Sequence, residues 1–473
     1  MAPLVVLHVD GVGHRFLTEA LERGLMPRTR RLVDSEGYEV LPYRCGIPST
    51  TPFCQAGILY GDSSEVPGFR WWDKAEATLV VFGGRSSFGK VAHKYFAGAR
   101  PLTEGGACIA ACYPAGARET FGIAYRERGG HGSGPGIVGG FFTSPRRVAL
   151  WLRHAGWALA RITWTALADR LRGRPEARKY VVSDVLEEIF LHHLTRYAVV
   201  RAMGEGHPAI YGAFYAYDET AHGFGPEDPL CYSMLTHLDR TIGEIAKARS
   251  GHRLVVLSDH GQVESKSYLG QTGHTLGELV WGLLPDHRVR EEPGGRYGPE
   301  DAGREVLIAY SGGLANLYLL SRPDRLTLEQ LDQLESGFAD ACAALPGVGF
   351  AMVRAAAGDM VLAGGRRLPL AGAEARELLA AYDDPELLVA QLAHLNSMQR
   401  AGDLILFAAG LPPEQLNFEH QVGGHGSIGG DQALPFLMVK REWGVSTQAV
   451  RTSADLHPLL LGLRDAGSRA AAR

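Results

Sequence analysis

Apolar residues in this chain fall into two registers, and each predicts a different kind of element. Short unbroken runs bounded by turn residues predict strands buried on both faces of a parallel sheet. Residues 4–9 are such a run, and 38–43, 209–217, 253–258 and, late in the chain, 433–440 read as further strands. Runs with helical spacing lie between or beside them, at 16–23, 27–35, 52–60, 229–248 and 456–463. Strand and helix in alternation predict an α/β fold with a mostly parallel central sheet flanked by helices.

Two stretches stand outside that alternation. Residues 90–205 begin Gly-rich and become strongly helical; residues 285–415 combine a Gly/Glu/Pro-rich loop at 291–303, a strand at 314–320, a helix at 327–344 and a basic hairpin at Gly364-Gly-Arg-Arg. The organisation expected is one catalytic domain over 1–473, with a helical insertion or cap at 90–205 and a second, α+β insertion at 285–415. Within the first insertion, residues 145–173 carry two apolar stripes. One runs Val148, Trp151, Leu152, Ala155, Leu159, Ile162; the other places Leu150, Trp157, Trp164 and Leu171 seven residues apart. Six arginines accompany a single acid, Asp169. This composition suits a basic helix lying on an anionic membrane surface, a cap packed on the chain's own core, or a contact in a homodimer, and the sequence leaves all three open. Each places the insertion near a substrate with an apolar part.

Composition narrows the class. The 473 residues are 45% hydrophobic and 21% charged, as in an ordinary globular protein. A net charge of −4 argues against a nucleic-acid partner. The six cysteines (45, 54, 108, 112, 231 and 342) lack the paired spacing of a zinc knuckle. With the first strand starting at once and no apolar stretch long enough to span a bilayer, reduced thiols and a cytoplasmic location are expected.

The chemistry-bearing residues sit where the apolar runs stop. Asp10 ends the first run, Asp259-His260 follows another, and Asp218-Glu-Thr-Ala-His222 follows a third; His425 lies among Gly423, Gly424 and Gly426. Open α/β sheets place their ligands at the carboxyl ends of strands. Carboxylates and imidazoles gathered there form a ligand set for divalent metals of the zinc type. Asp218 and His222 are one helical turn apart and can face one ion. Thr51 precedes Pro52, which favours the first helical position and makes Thr51 a candidate N-cap. Its hydroxyl, at the positive end of a helix dipole and facing a metal, is a candidate nucleophile, with Thr50 and Ser49 as neighbours able to take the role. Arg70, in Gly68-Phe-Arg-Trp-Trp, His274, in Gly-Gln-Thr-Gly-His, and Cys54, three residues after Thr51, are candidate substrate contacts.

Together these segments resemble the alkaline phosphatase superfamily, and within it the type I phosphodiesterase/nucleotide pyrophosphatase branch. The matching pieces are Val9-Asp10-Gly11, Met26-Pro27, Thr51 ten residues before Gly61, Tyr217-Asp218-Glu-Thr-Ala-His222-Gly, Ser258-Asp259-His260-Gly261 and Gly424-His425-Gly426, in family order. The resemblance implies a phosphoric ester hydrolase, a phosphodiesterase first, with two zinc ions (manganese as the alternative) and a covalent threonine intermediate. It places Asp218, His222 and His425 on one ion, and Asp10, Asp259, His260 and the Thr51 oxygen on the other. The distance to Gly61 favours Thr51 as nucleophile, while a following residue and then Pro would favour Thr50. Cys54 stands where nucleotide pyrophosphatases have an Asn that binds a phosphoryl oxygen, so nucleotide selectivity does not carry over. Phosphomonoester or phosphonate cleavage, or a catalytically silent binding protein of this fold, are the alternatives. The partner expected is a phosphate-ester small molecule.

Overall fold

The computed structural model describes residues 3–81, 87–123, 131–132, 134–171, 182–248, 251–411 and 414–469. Its central sheet has eight strands: β1 (Leu4–Val9), β2 (Tyr38–Pro42), β3 (Ala107–Ile109), β4 (Glu119–Phe121), β5 (His131–Gly132), β6 (Ala209–Phe214), β7 (Arg253–Leu257) and β8 (Phe436–Lys440). Their spatial order is β2-β8-β7-β1-β6-β3-β4-β5. Strand β1 is central, with β6 and β7 parallel to it on either side; β8 runs antiparallel to both of its neighbours. The mostly parallel sheet flanked by helices is the architecture expected from the sequence.

Alternation along β1 divides the interior. Leu4 and Val6 join one core, and Val5, Leu7 and Val9 join another, as the two-residue period of a strand requires. On the Val5 side lie the helices α1 (His14–Glu22), α2 (Pro27–Ser35), α4 (Pro145–Leu171), α5 (Val182–Gly204), α6 (Ala216–Phe224) and α7 (Pro229–Ala248). On the Leu4 side lie α3 (Thr51–Tyr60) and α8 (Leu456–Arg469), and this core continues into a second sheet. That sheet also has eight strands, mostly antiparallel, within residues 288–408. A small third sheet pairs Val263–Ser267 with Glu414–Asn417 and with Gly423–Gly424. It thereby carries His425 back toward the end of β7.

Several local expectations shift. The run 209–217 is two elements: β6 ends at Phe214 and α6 begins at Ala216, so Ala216 and Tyr217 are apolar because they lie under a helix. The loop expected at 291–303 contains pairing, because Arg288–Glu292 forms an antiparallel hairpin with Arg296–Tyr297. The helix expected at 327–344 is two, Leu328–Leu334 and Phe338–Ala343, separated at Gly337 in the left-handed region (φ 72°). The hairpin around Gly364 is present between Gly358–Ala363 and Arg366–Pro369. The first part of 90–205 is not all helical, since β3, β4 and β5 extend the edge of the central sheet.

Candidate active site

Asp10 follows β1 and Asp259 follows the adjacent β7, so two carboxylates emerge side by side at the carboxyl edge of the sheet. Helix α6 brings Asp218 and His222 over the same edge, with His222 Nε2 3.0 Å from Asp218 Oδ2. The third sheet delivers His425, whose Nε2 lies 3.2 Å from His222 Nε2 and 3.9 Å from Asp218 Oδ2. His260 stacks on His425 with ring centroids 3.9 Å apart, and its Nε2 is 3.3 Å from Asp10 Oδ1. Thr51 Oγ1 lies 3.1 Å from His260 Nε2 and 3.4 Å from Asp10 Oδ2. All seven residues named from the sequence as ligands or nucleophile are therefore in one place.

The imidazoles share one orientation. Nδ1 of His222 lies 3.0 Å from the Gly423 carbonyl, Nδ1 of His260 lies 3.0 Å from that of Gly261, and Nδ1 of His425 lies 2.7 Å from that of Ser49. A carbonyl only accepts, so each Nδ1 must donate. All three Nε2 atoms are then turned into a group of carboxylates. Imidazoles that ligate a metal are commonly held this way by their other nitrogen.

The spacing also fits. Ligand atoms bound to zinc at its usual distance sit about 3.3 Å apart at tetrahedral corners. The contacts of 3.0, 3.2 and 3.3 Å match that edge. Donor atoms of Asp218, His260 and His425 lie within 4.8 Å of one another, as do those of His8, Asp10 and Asp259. These groups differ from the ligand sets implied by the resemblance: His260 sits near both centres, and His8 joins the second. Its Nε2, 3.3 Å from Asp10 and 3.1 Å from Thr51, keeps His260 with the second centre.

Electrostatics make the same demand. Burying an unpaired carboxylate costs several kcal/mol, and Asp10, Asp218 and Asp259 are all buried here. Asp259 Oδ1 lies 2.9 Å from His8 Nε2, and among the described residues no other side chain satisfies the Asp259 oxygens. Burial, then Asp259 and Asp218, push the Asp10 carboxyl well above its usual range. For Asp218 and Asp259 burial opposes ionisation, but His222 beside the one, and His260 and His8 beside the other, hold both below it. Burial works against a charged His222 as well, yet Asp218 raises it to about 10. Burial and then His260 push His425 down to about 3. Three buried carboxylates so close together need compensating positive charge, which the nearby imidazoles supply in part.

Backbone shape secures the approach. Gly11 has φ +74°, and a Cβ there would lie 2.2 Å from Asp218 Oδ1. Gly426 has φ +89°, and a Cβ there would meet the Ser311 carbonyl at 2.0 Å. Glycine is required at both.

One expectation about Thr51 is corrected. The N-cap of α3 is Thr50, with extended backbone (φ −125°, ψ 146°), and Thr51 is the first helical residue. Pro52 fits the second helical position as readily as the first, because neither position needs an intrahelical N–H bond. The Thr50 hydroxyl is buried, caps nothing and has no hydrogen-bond partner among the described residues. Ser49 is tied into the fold by Gly426 N–H, 2.9 Å from its Oγ.

The carboxyl-edge residues open into a cavity of about 180 Å³, lined in part by Asp10, Thr50, Thr51, Arg70, Asp218 and His425. Arg70 is at the wall, and its Nη1 donates to Glu419 Oε1 at 2.8 Å and to the Tyr310 carbonyl at 2.9 Å. Cys54 is buried in α3 and does not line the cavity. His274 is exposed, 3.4 Å from Glu278, and does not line it either.

Two residues were missed. His8 lies two positions before Asp10 on β1, and its Nδ1 is held by Gln55 Nε2 at 3.1 Å. The two-residue period was the available signal, because it puts His8 and Asp10 on one face. Gln262 donates to Asp218 Oδ1 at 2.5 Å and to the Asp218 carbonyl at 3.0 Å; nothing in the sequence marked it.

Fold and site together give a mostly parallel sheet flanked by helices, with carboxylates and imidazoles gathered at the carboxyl ends of its strands. The family model described as Type I phosphodiesterase / nucleotide pyrophosphatase matches residues 144–293, which include Asp218, His222, Asp259 and His260. Phosphonoacetate hydrolase from Sinorhizobium meliloti 1021, in complex with phosphonoformate, is similar in structure (TM-score 0.52, 16% identity, 98% of this chain and 96% of that one). Murine ectonucleotide pyrophosphatase / phosphodiesterase 5 is similar too (TM-score 0.51, 12% identity, covering 98% and 95%). At such identities the two structures speak for the fold. A search of curated proteins finds no match. The family match over residues 144–293 and the shared fold agree with the resemblance to the type I phosphodiesterase branch.

Proposed function

We propose that this chain is a phosphodiesterase that works through Thr51 and two divalent cations, zinc first and manganese as the alternative. The observation that carries the reading is the shared orientation of His222, His260 and His425, each anchored through Nδ1 with Nε2 turned toward buried carboxylates. Asp218, His222 and His425 would hold one cation; Asp10, Asp259, His260 and the Thr51 oxygen would hold the other. When bound, such a pair supplies the positive charge that lowers a hydroxyl pKa and balances developing charge on phosphoryl oxygens.

The chain's own residues do the rest. Thr51 Oγ, at the first position of α3, attacks phosphorus, and the bond to the leaving alcohol breaks as that alcohol takes up a proton. N–H groups at the start of α3 are unpaired within the helix and can hold the phosphoryl oxygens. A water oxygen then attacks phosphorus in the threonine-linked diester so formed, the bond to Thr51 Oγ breaks, the hydroxyl is restored and a phosphate monoester is released. His8 and Gln262 act as positioning residues for Asp259 and Asp218. Arg70, already paired with Glu419, shapes the wall beside the phosphoryl group.

Support from relatives comes at one remove. An inactive form of the murine protein, seen in complex with AMP, carries a threonine-to-alanine change. The hydrolase bound to phosphonoformate keeps phosphonate cleavage in view as the second reading. A cytoplasmic setting fits the six cysteines, all free and buried.

Turnover of a bis-aryl phosphate, a mono-aryl phosphate and phosphonoacetate, before and after chelation and with zinc or manganese restored, tests the proposal. Fastest turnover of the diester, lost on chelation and recovered with metal, is expected. A preference for phosphonoacetate would establish the second reading. Turnover of none of the three in metal-loaded protein would favour a silent binding protein.

A further inference from the structure

A second, larger cavity of about 700 Å³ lies between α4, α7 and the corner joining α1 to α2, and it shares no residue with the candidate active site. Its chemistry is the reverse of that site. Arg23, Arg153 and Arg240 face it together with His154 and His237, and Glu227 is the only acid on its wall. Glu227 is itself engaged by Arg15 at 3.1 Å, and Arg23 is paired with Glu19 at 2.7 Å. Among the described residues neither Arg153 nor Arg240 has an ion pair. His154 stacks on His237 with ring centroids 3.2 Å apart, and its Nδ1 is 3.4 Å from His193 Nε2. Burial, with the surrounding imidazoles and guanidiniums, pushes these histidines below their usual range. Among its described lining residues the one negative charge, Glu227, is already paired with Arg15.

Trp157 links this cavity to the outward face of α4. That face carries Leu152, Trp157, Leu159, Trp164 and Leu167, which are 44–66% exposed. Residues 134–168 contain four arginines and no acid. No helix among the described residues is long and apolar enough to cross a membrane, so an apolar helix face of this charge is suited to lie on a surface. We propose that the cavity takes the phosphate headgroup of an anionic phospholipid and seats the outward face of α4 on the membrane. Charge complementarity selects this occupant: bare guanidiniums rim the pocket, and the apolar side chains beside it match the acyl boundary.

Co-sedimentation of the full chain with vesicles tests this. Binding to phosphatidylcholine vesicles containing phosphatidylglycerol is expected, weakening with salt, with little binding to phosphatidylcholine alone. Arg153→Gln with Arg240→Gln, and separately Trp157→Ser with Trp164→Ser, should each lower the partition coefficient about tenfold or more. Turnover of a soluble bis-aryl phosphate should not change in any of them. Arg153→Gln alone, an exposed position, should give a smaller loss and guards against misfolding of the double variants. Absent binding to the mixed vesicles, equal binding to neutral ones, or unchanged binding in the arginine variants would each overturn the proposal. So would saturation of the cavity by inorganic phosphate without vesicle binding, which would mark a site for a free anion. A stable dimer that hides Trp157 and Trp164 would overturn it in favour of a second copy.

Discussion

Two groups of buried and half-buried histidines in this chain have opposite surroundings, and the contrast shows what an imidazole cluster is for. His222, His260 and His425 stand among Asp10, Asp218 and Asp259, with every Nδ1 pinned to a backbone carbonyl. His154, His193 and His237 stand among Arg153, Arg196 and Arg240, and touch chiefly one another. Carboxylates raise His222, whereas guanidiniums and burial lower His154 and His237. In the two proposals above, the first group would hold cations and the second would border an anion. The residue type is shared, so function is decided by neighbours and by which ring nitrogen is already committed.

Removing the nucleophile should break the comparison most sharply. Thr51→Ala should lower diester turnover by about 10³-fold or more while leaving metal content unchanged. If Thr50→Ala causes that loss and Thr51→Ala does not, the nucleophile is Thr50. Removing a ligand comes next. His425→Ala should reduce bound zinc from two ions to one, read by elemental analysis, whereas His154→Ala should leave it at two. Metal also stabilises what it binds: at a thousandfold excess over Kd the gain is about 4 kcal/mol. Chelation should therefore lower the melting temperature, and adding metal should restore it. Positioning residues come after these. His8→Ala or Gln262→Ala should weaken metal affinity about 10- to 100-fold, with partial turnover recovered at high zinc. The smallest effect is expected at the wall: Arg70→Gln should raise KM more than it lowers kcat, because Glu419 already neutralises its charge.

Much of the first cluster was legible in the sequence because each element ends in a residue whose chemistry is unusual there. Asp10 and Asp259 are acids terminating buried parallel strands, and His425 sits in a glycine run whose close backbone contacts the fold requires. Asp218 and His222 were legible as a pair one turn apart, although the apolar run before them concealed the change from β6 to α6. A short apolar stretch has no period by which to separate a buried strand from the first turn of a buried helix. The capping of α3 was misjudged by one residue, since Pro52 suits either of the first two helical positions. The second cluster was not legible: His154, His193 and His237 lie on three helices, and only tertiary packing brings His154 and His237 to one cavity with His193 behind them. Of the apolar stripe along α4, Ile162 is buried and Leu152 and Leu159 are exposed. A helix apolar on more than one side does not reveal which side the core will choose.

Crystals grown with zinc and measured at the zinc absorption edge would test the central claim most directly. Two anomalous peaks are predicted, one bounded by Asp218, His222 and His425 and the other by Asp10, Asp259, His260 and Thr51. Peaks only elsewhere, for instance at the half-exposed group Glu119, Glu205 and His207, or none at all, would contradict it.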